Sequence, residues 1–155
     1  MWLMKTLLTS GCTNQRGAGQ YLSLYKGDLM IAKGYKLPHE SFIQEVLEDF
    51  FESEGYSIIE EKPIDIKCSN ADKNETWIIE VKGKTSQIGL DFKTCLGQIV
   101  MRMNNPDYIY AIAMPDIEQY HKQVNKVSSK IAAKINLNWI FVSDKGSIEI
   151  IRNCD

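Results

Sequence analysis

After Pro38 the apolar residues Phe42, Ile43, Val46, Leu47 and Phe50 recur at the i, i+3, i+4 spacing of a helix face, with acidic side chains on the other face, as far as Gly55. That pattern predicts an amphipathic helix with a glycine stop. Three runs of β type follow, Tyr56 to Glu60, Ile64 to Cys68 and Thr76 to Val81, and the polar stretch Ser69 to Asn74 reads as the turn of a hairpin between the last two. A second helix is expected from about Leu90 to Met103, preceded by Gly89 and stopped by Asn104-Asn105-Pro106. Tyr108 to Ala113 is apolar on both faces and ended by Pro115, which suits a central strand. Ile117, Tyr120, Val124, Val127, Ile131 and Ile135 then mark a third helix over about Ile117 to Ile135. Two strands, Trp139 to Val142 and Ser147 to Ile151, close the chain around Lys145-Gly146. The order predicts an α/β fold, a mixed central β-sheet flanked by helices.

Before Pro38 the pattern dissolves. Gly11, Gly17, Gly19, Gly27 and Gly34 interrupt short apolar pieces, so 1–38 reads as an irregular, short-strand segment and 39–155 as the domain. Gly17 and Gly19 look superficially like a phosphate loop, but no clear strand and helix flank them and no Gly-Lys-Ser/Thr follows, so a flexible turn is expected. Met1 to Leu8, apolar apart from Lys5 and Thr6, runs into Ser10-Gly11-Cys12 and is faintly like a lipoprotein signal. Its apolar core is shorter than the roughly 7–15 residues of a signal core, so a local strand or loose end is the preferred expectation.

Composition narrows the function classes. The chain has 155 residues, 44% apolar and 25% charged, which suits one domain with one core and leaves no room for a separate recognition module. Eighteen Lys and Arg against twenty Asp and Glu leave a net charge of −2, so any polyanion must be held by local charge. No run approaches the ~18 apolar residues of a membrane span. Cys12, Cys68, Cys95 and Cys154 form no CxxC or Cys/His cluster and read as reduced thiols of a cytoplasmic protein. His39 and His121 have no nucleophile at a recognisable spacing, which argues against a histidine-based mechanism. Trp2, Trp77 and Trp139 sit in apolar runs and are expected in the core, while Tyr21 and Tyr25 stay unassigned.

The chemistry concentrates in Pro63-Ile64-Asp65 and Ile78-Ile79-Glu80-Val81-Lys82-Gly83. Alternation sends Glu80 and Lys82 to one side of their strand, and Asp65 lies on the neighbouring hairpin arm. If the register pairs the arms, two carboxylates and an ammonium meet at the end of the hairpin. Adjacent carboxylates need a cation, and hard oxygen ligands suit Mg²⁺, which can activate water against a phosphodiester. On spacing alone, a solvated surface ion pair is the commoner outcome for such residues.

Pro63-Ile64-Asp65 followed by Glu80-Val81-Lys82 resembles the signature of the PD-(D/E)XK nuclease superfamily, and the resemblance covers about Glu40 to Ile151. It implies a restriction-endonuclease-like core in the order helix, three-strand meander, helix, strand, helix, terminal strands. It further implies Asp65 and Glu80 as ligands of Mg²⁺, with Mn²⁺ able to substitute, the backbone oxygen of Val81 completing the metal shell, and Lys82 beside the attacking water. The first helix of such enzymes often brings a glutamate to the metal, and the match falls on Glu45. Periodicity by itself does not choose among Glu45, Glu48 and Glu52. Leu96-Gly97-Gln98 is similar to a Gly-Gln of several branches, which makes Gln98 an orienting amide. RecB-related branches place a Tyr four residues on, where this chain has Arg102. The stretch from Glu80 through Gln98 to Tyr110-Ala111-Ile112-Ala113-Met114-Pro115 has a weaker likeness to the excision-controlling factor proteins of phage-like elements, which share that fold.

Lys84, Thr85, Ser86, Lys93 and Arg102 are the donors expected to contact phosphates, and Lys122, Lys126, Lys130 and Lys134 could form a cationic stripe on the third helix. A solvated helix surface whose lysines suit the helix dipole explains that stripe equally well. The leading expectation is a Mg²⁺-dependent nuclease hydrolysing DNA, with RNA left open. Its alternative is a non-cleaving nucleic-acid-binding or excision accessory protein, against which the intact triad counts, and the third is a small interaction domain. Cutting both strands with one site per chain would favour a homodimer, and a recombination or defence partner protein is the other partner expected.

Overall fold

The computed structural model describes residues 20–22 and 39–153. Expectations for Met1 to Cys12, for Gly17 and Gly19, for Tyr25 and for Cys154 lie outside them. The helix read after Pro38 is α1, Glu40–Ser53, and it begins where the ring Nδ1 of His39 accepts a hydrogen bond from the backbone N–H of Ser41 at 3.2 Å. It ends in a Schellman turn: Gly55, at φ +85°, donates to the Glu52 carbonyl and Tyr56 to the Phe51 carbonyl. The Phe51 and Tyr56 rings meet edge to face across that turn, the apolar contact that accompanies such a stop.

The remaining elements are β1 (Gln20–Leu22), β2 (Ser57–Ile59), β3 (Ile66–Asn70), β4 (Glu75–Val81), α2 (Ile88–Met101), β5 (Ile109–Pro115), α3 (Glu118–Val124), α4 (Ser129–Lys134), β6 (Leu137–Val142) and β7 (Ile148–Ile151). The seven strands form one sheet in the order β1-β7-β6-β5-β4-β3-β2. β4, β5 and β6 are parallel and the other pairs antiparallel, so the sheet is mixed and β5 is its central strand.

Alternation on β4 and β5 divides the core in two. Ile79, Val81, Ala111 and Ala113 face α1, whose Phe42, Ile43, Val46, Leu47, Phe50 and Phe51 are all buried. Each fully buried large side chain contributes roughly 1.5–3 kcal/mol. The alanines at the middle of β5 leave room for the helix to sit close. Ile78, Tyr110, Ile112 and Met114 face the other way, towards Phe92, Cys95 and Ile99 of α2 and Tyr120 and Val124 of α3. Trp77 and Trp139 are core residues, as their apolar surroundings predict.

Two expectations need correction. The helix expected over Ile117 to Ile135 is two short ones, with Ser128 as the N-cap of the second, and Ile131 and Ile135 are exposed rather than buried. The lysine stripe is therefore split, with Lys122 on α3, Lys126 in the turn between the helices, and Lys130 and Lys134 on α4. The hairpin arm also starts later than its apolar pattern suggests, at Ile66, so Asp65 precedes the strand and the turn shrinks to 71–74.

Candidate functional site

The β3–β4 register pairs Ile66 with Ile79, and one step further along the same ladder sets Asp65 opposite Glu80. Asp65 reaches across: its Oδ2 accepts the backbone N–H of Val81 at 2.8 Å. Glu80 lies on the α2 face with Ile78 and is only 5% exposed. A carboxylate this buried requires a counter-charge, and the Arg102 guanidinium supplies it in an ion pair between Nη1 and Oε2. Neither of those two atoms has another hydrogen-bond partner among the described residues. Arg102 immediately follows the last turn of α2, and its Nη2 donates to the Pro63 carbonyl at 2.9 Å, which ties the helix end to the loop before β3.

Lys82 continues the ladder, its N–H donating to the Ala113 carbonyl at 2.8 Å. Its Nζ lies 3.3 Å from the Glu40 carboxylate at the start of α1. Gly83 makes that approach possible, because a Cβ there would stand 2.8 Å from the Glu40 backbone nitrogen. On the opposite face the buried Tyr120 hydroxyl donates to the Gly83 carbonyl at 2.7 Å. The exit of β4 is thus held from both faces.

From α1, Glu40 reaches Lys82, and the Gln44 Nε2 donates to the Asp65 carbonyl at 3.3 Å. Glu45 is one residue further on, about 100° round the helix from Gln44. Periodicity did not choose among Glu45, Glu48 and Glu52, and it did not single out Glu40. The signal for Glu40 was Gly83 directly after the triad lysine, a residue that admits a close neighbour.

The thiol of Cys95 on α2 registers the charge around it. Burial chiefly pushes it up to about 12, Lys82 acts to lower it, and Asp65, Glu40 and Asp91 raise it further. Four charged side chains therefore lie near enough to act on this thiol. Gln98 is exposed and sits one turn before Arg102 on the same side of the helix.

Lys84, Thr85 and Ser86 form an exposed loop leading into α2, and Lys93 is exposed on that helix. The Thr85 hydroxyl is hydrogen-bonded to Asp91 and accepts the Gln87 N–H at 3.1 Å, which organises the helix start. Arg102 differs from these four, being engaged by Glu80 and largely covered. His121 pairs with Asp116 at 2.7 Å and stacks on Phe141.

Among the described residues, no group of three or more His, Cys, Asp and Glu side chains is arranged to hold a metal ion. The chemistry of the donors agrees: one Asp65 oxygen is spent on a backbone amide and the Glu80 carboxylate faces a guanidinium. As arranged, they do not fit a divalent cation.

No family model matches the chain, and no curated protein matches it. Solved structures do. An XisH family protein from Nostoc punctiforme PCC 73102 superimposes with a TM-score of 0.51 at 16% identity, over 70% of this chain and 98% of that one. A fdxN element excision controlling factor protein from Anabaena variabilis gives a TM-score of 0.51 at 17% identity, over 72% of this chain and 97% of that one. At these identities the likeness defines the fold, which this chain shares with excision-controlling factors. Among the described residues no helix is long and apolar enough to cross a membrane.

Proposed function

We propose that this chain is a nucleic-acid-binding accessory protein of DNA-element excision, built on a nuclease-like, restriction-endonuclease-related core, that binds without cutting. One observation carries the reading: every member of the triad has a structural partner within the chain. Asp65 holds the Val81 amide, Glu80 neutralises Arg102, and Lys82 pairs with Glu40. The sequence offered no reason for a non-cutting protein to keep Asp65, Glu80 and Lys82. These partners supply one, since Asp65 and Glu80 stabilise the end of the sheet without any reaction and Lys82 adds a half-exposed pair of small weight. The excision-controlling name of one structural neighbour points the same way. Contact with a polyanion falls to the exposed Lys84, Thr85, Ser86 and Lys93, giving salt-dependent and sequence-tolerant affinity.

A second reading, the Mg²⁺-dependent nuclease, is favoured by one specific observation. In the hairpin register Asp65 falls opposite Glu80, and its Oδ2 holds the amide of Val81, the residue before Lys82, whose Nζ pairs with Glu40. It requires Arg102 to release Glu80. Plasmid nicking in Mg²⁺ and in Mn²⁺, run beside duplex binding at several salt concentrations, separates the two. Binding that weakens with salt, without nicking, is expected. Metal-dependent nicking that Glu80→Ala and Lys82→Ala both abolish would establish the nuclease instead.

A further inference from the structure

A cavity of about 430 Å³ opens on the α2 side of the sheet, and its floor is the buried Ile78, two residues before Glu80 on the same face. That volume lies within the ~300–1,000 Å³ of small-molecule sites. Ile64 extends the apolar floor, Tyr108 lines the cavity, and Met101 at its mouth is 88% exposed. Its two cations are Lys67 and Arg102. Lys67 Nζ lies over the Tyr108 ring, 5.8 Å from its centroid, so the cation stands above one aromatic face.

Each cation has a carboxylate partner, and the two partners differ. Glu61, on Lys67, is 49% exposed, whereas Glu80, on Arg102, is 6% exposed. Glu61, half-exposed, returns to water readily, whereas the Lys67 side chain is itself largely covered. A phosphate entering the cavity can therefore replace Glu61 at Lys67. Arg102 stays on Glu80, but a guanidinium carries five N–H donors, and its bonds to Glu80 and to the Pro63 carbonyl leave others for an anion. A flat group with an attached phosphate matches an apolar floor, an aromatic neighbour and two cations. In a duplex the base is stacked away from such a surface, so the matching form is an unpaired one.

We propose that this cavity binds a nucleotide whose base is unpaired, with the base against Tyr108 and the phosphate on Lys67 and Arg102. The proposal deepens, and rests on, the nucleic-acid reading above, because it makes a single strand the preferred substrate. The intact chain is titrated by calorimetry with thymidine 5′-monophosphate, thymidine and inorganic phosphate. An oligo(dT) strand and a duplex are titrated by fluorescence anisotropy. The monophosphate is expected to bind more tightly than thymidine or phosphate alone, and the strand more tightly than the duplex. Tyr108→Leu, which keeps apolar bulk but loses the flat ring, and Lys67→Gln are each expected to weaken strand binding about tenfold. Thermal melts of both variants confirm that they fold. If the monophosphate gives no heat at millimolar concentration and both variants bind the strand as before, the cavity proposal is overturned while the functional reading stands. If the monophosphate binds and neither oligonucleotide does, the functional reading fails and the cavity assignment holds.

Discussion

Arg102→Met tests the Glu80 ion pair: methionine keeps an unbranched apolar stem and loses the guanidinium, with its charge and its hydrogen bond to the Pro63 carbonyl. The variant leaves a carboxylate that is 6% exposed facing no cation. Breaking a buried pair from one side costs about 3–5 kcal/mol. A chain of this size loses ~2–4 °C per kcal/mol, which puts the fall in melting temperature at about 6–20 °C. Replacing both partners removes the stranded charge, so Glu80→Leu with Arg102→Met should recover to within about 1 kcal/mol of the parent. Urea unfolding of the parent, both single variants and the double variant gives the coupling energy directly, provided the slope with urea is unchanged across the set. A loss under about 1 kcal/mol in Arg102→Met would refute the reasoning. So would a double variant no more stable than the single ones.

Three further outcomes follow from other parts of the molecule. At Glu75 burial acts to raise the carboxyl, but hydrogen bonds from Tyr56, Trp77 and Arg152 together with the Arg152 charge outweigh it, holding the group below its ordinary 4.5. A depressed folded value means stability that is complete above the ordinary carboxylate range and is lost as pH falls through the lowered value. The melting-temperature gap between parent and Glu75→Gln should thus be widest near neutral pH and close in acid. Cys68 and Cys95 are buried with their thiols pushed up to about 12, by burial above all. A Cys12→Ser, Cys154→Ser variant is accordingly expected to resist a thiol reagent until it is unfolded by denaturant, and rapid labelling in buffer would contradict the burial. Gly83→Ala places a methyl group 2.8 Å from the Glu40 backbone and should cost about 1–3 kcal/mol by crowding, partly offset by the stiffer unfolded chain; unchanged urea stability would show that α1 gives way freely.

The parts of the fold that were legible in the sequence are those where one local rule acts alone. The i, i+3, i+4 run from Phe42 to Phe50 had no competing pattern and a glycine to end it, and α1 follows it closely. Tyr108 to Ala113, apolar on both faces, predicted a central strand, and β5 is one. The third helix failed because its apolar spacing continues smoothly through Val127, whereas the helix stops at Val124 and a new one starts after Ser128. Periodicity measures which face is apolar, not whether the backbone is continuous. At the candidate site, the nearness of Asp65 and Glu80 was readable from the hairpin. Their partners were not, since Arg102 comes from a helix end and Glu40 from the start of α1, separations that only packing brings together.

The pairing of charge at the end of the hairpin has a kinetic consequence for any polyanion that approaches. Glu80 with Arg102, Lys82 with Glu40 and Lys67 with Glu61 are each a cation joined to a carboxylate. Such pairs project dipoles, whose field fades faster with distance than that of a single charge, and salt at ~0.1 M screens what remains within about 10 Å. Arg102 and Lys67 would therefore act only after contact and set how long a ligand stays. The exposed Lys84 and Lys93 would set how often it arrives and how steeply salt slows that arrival.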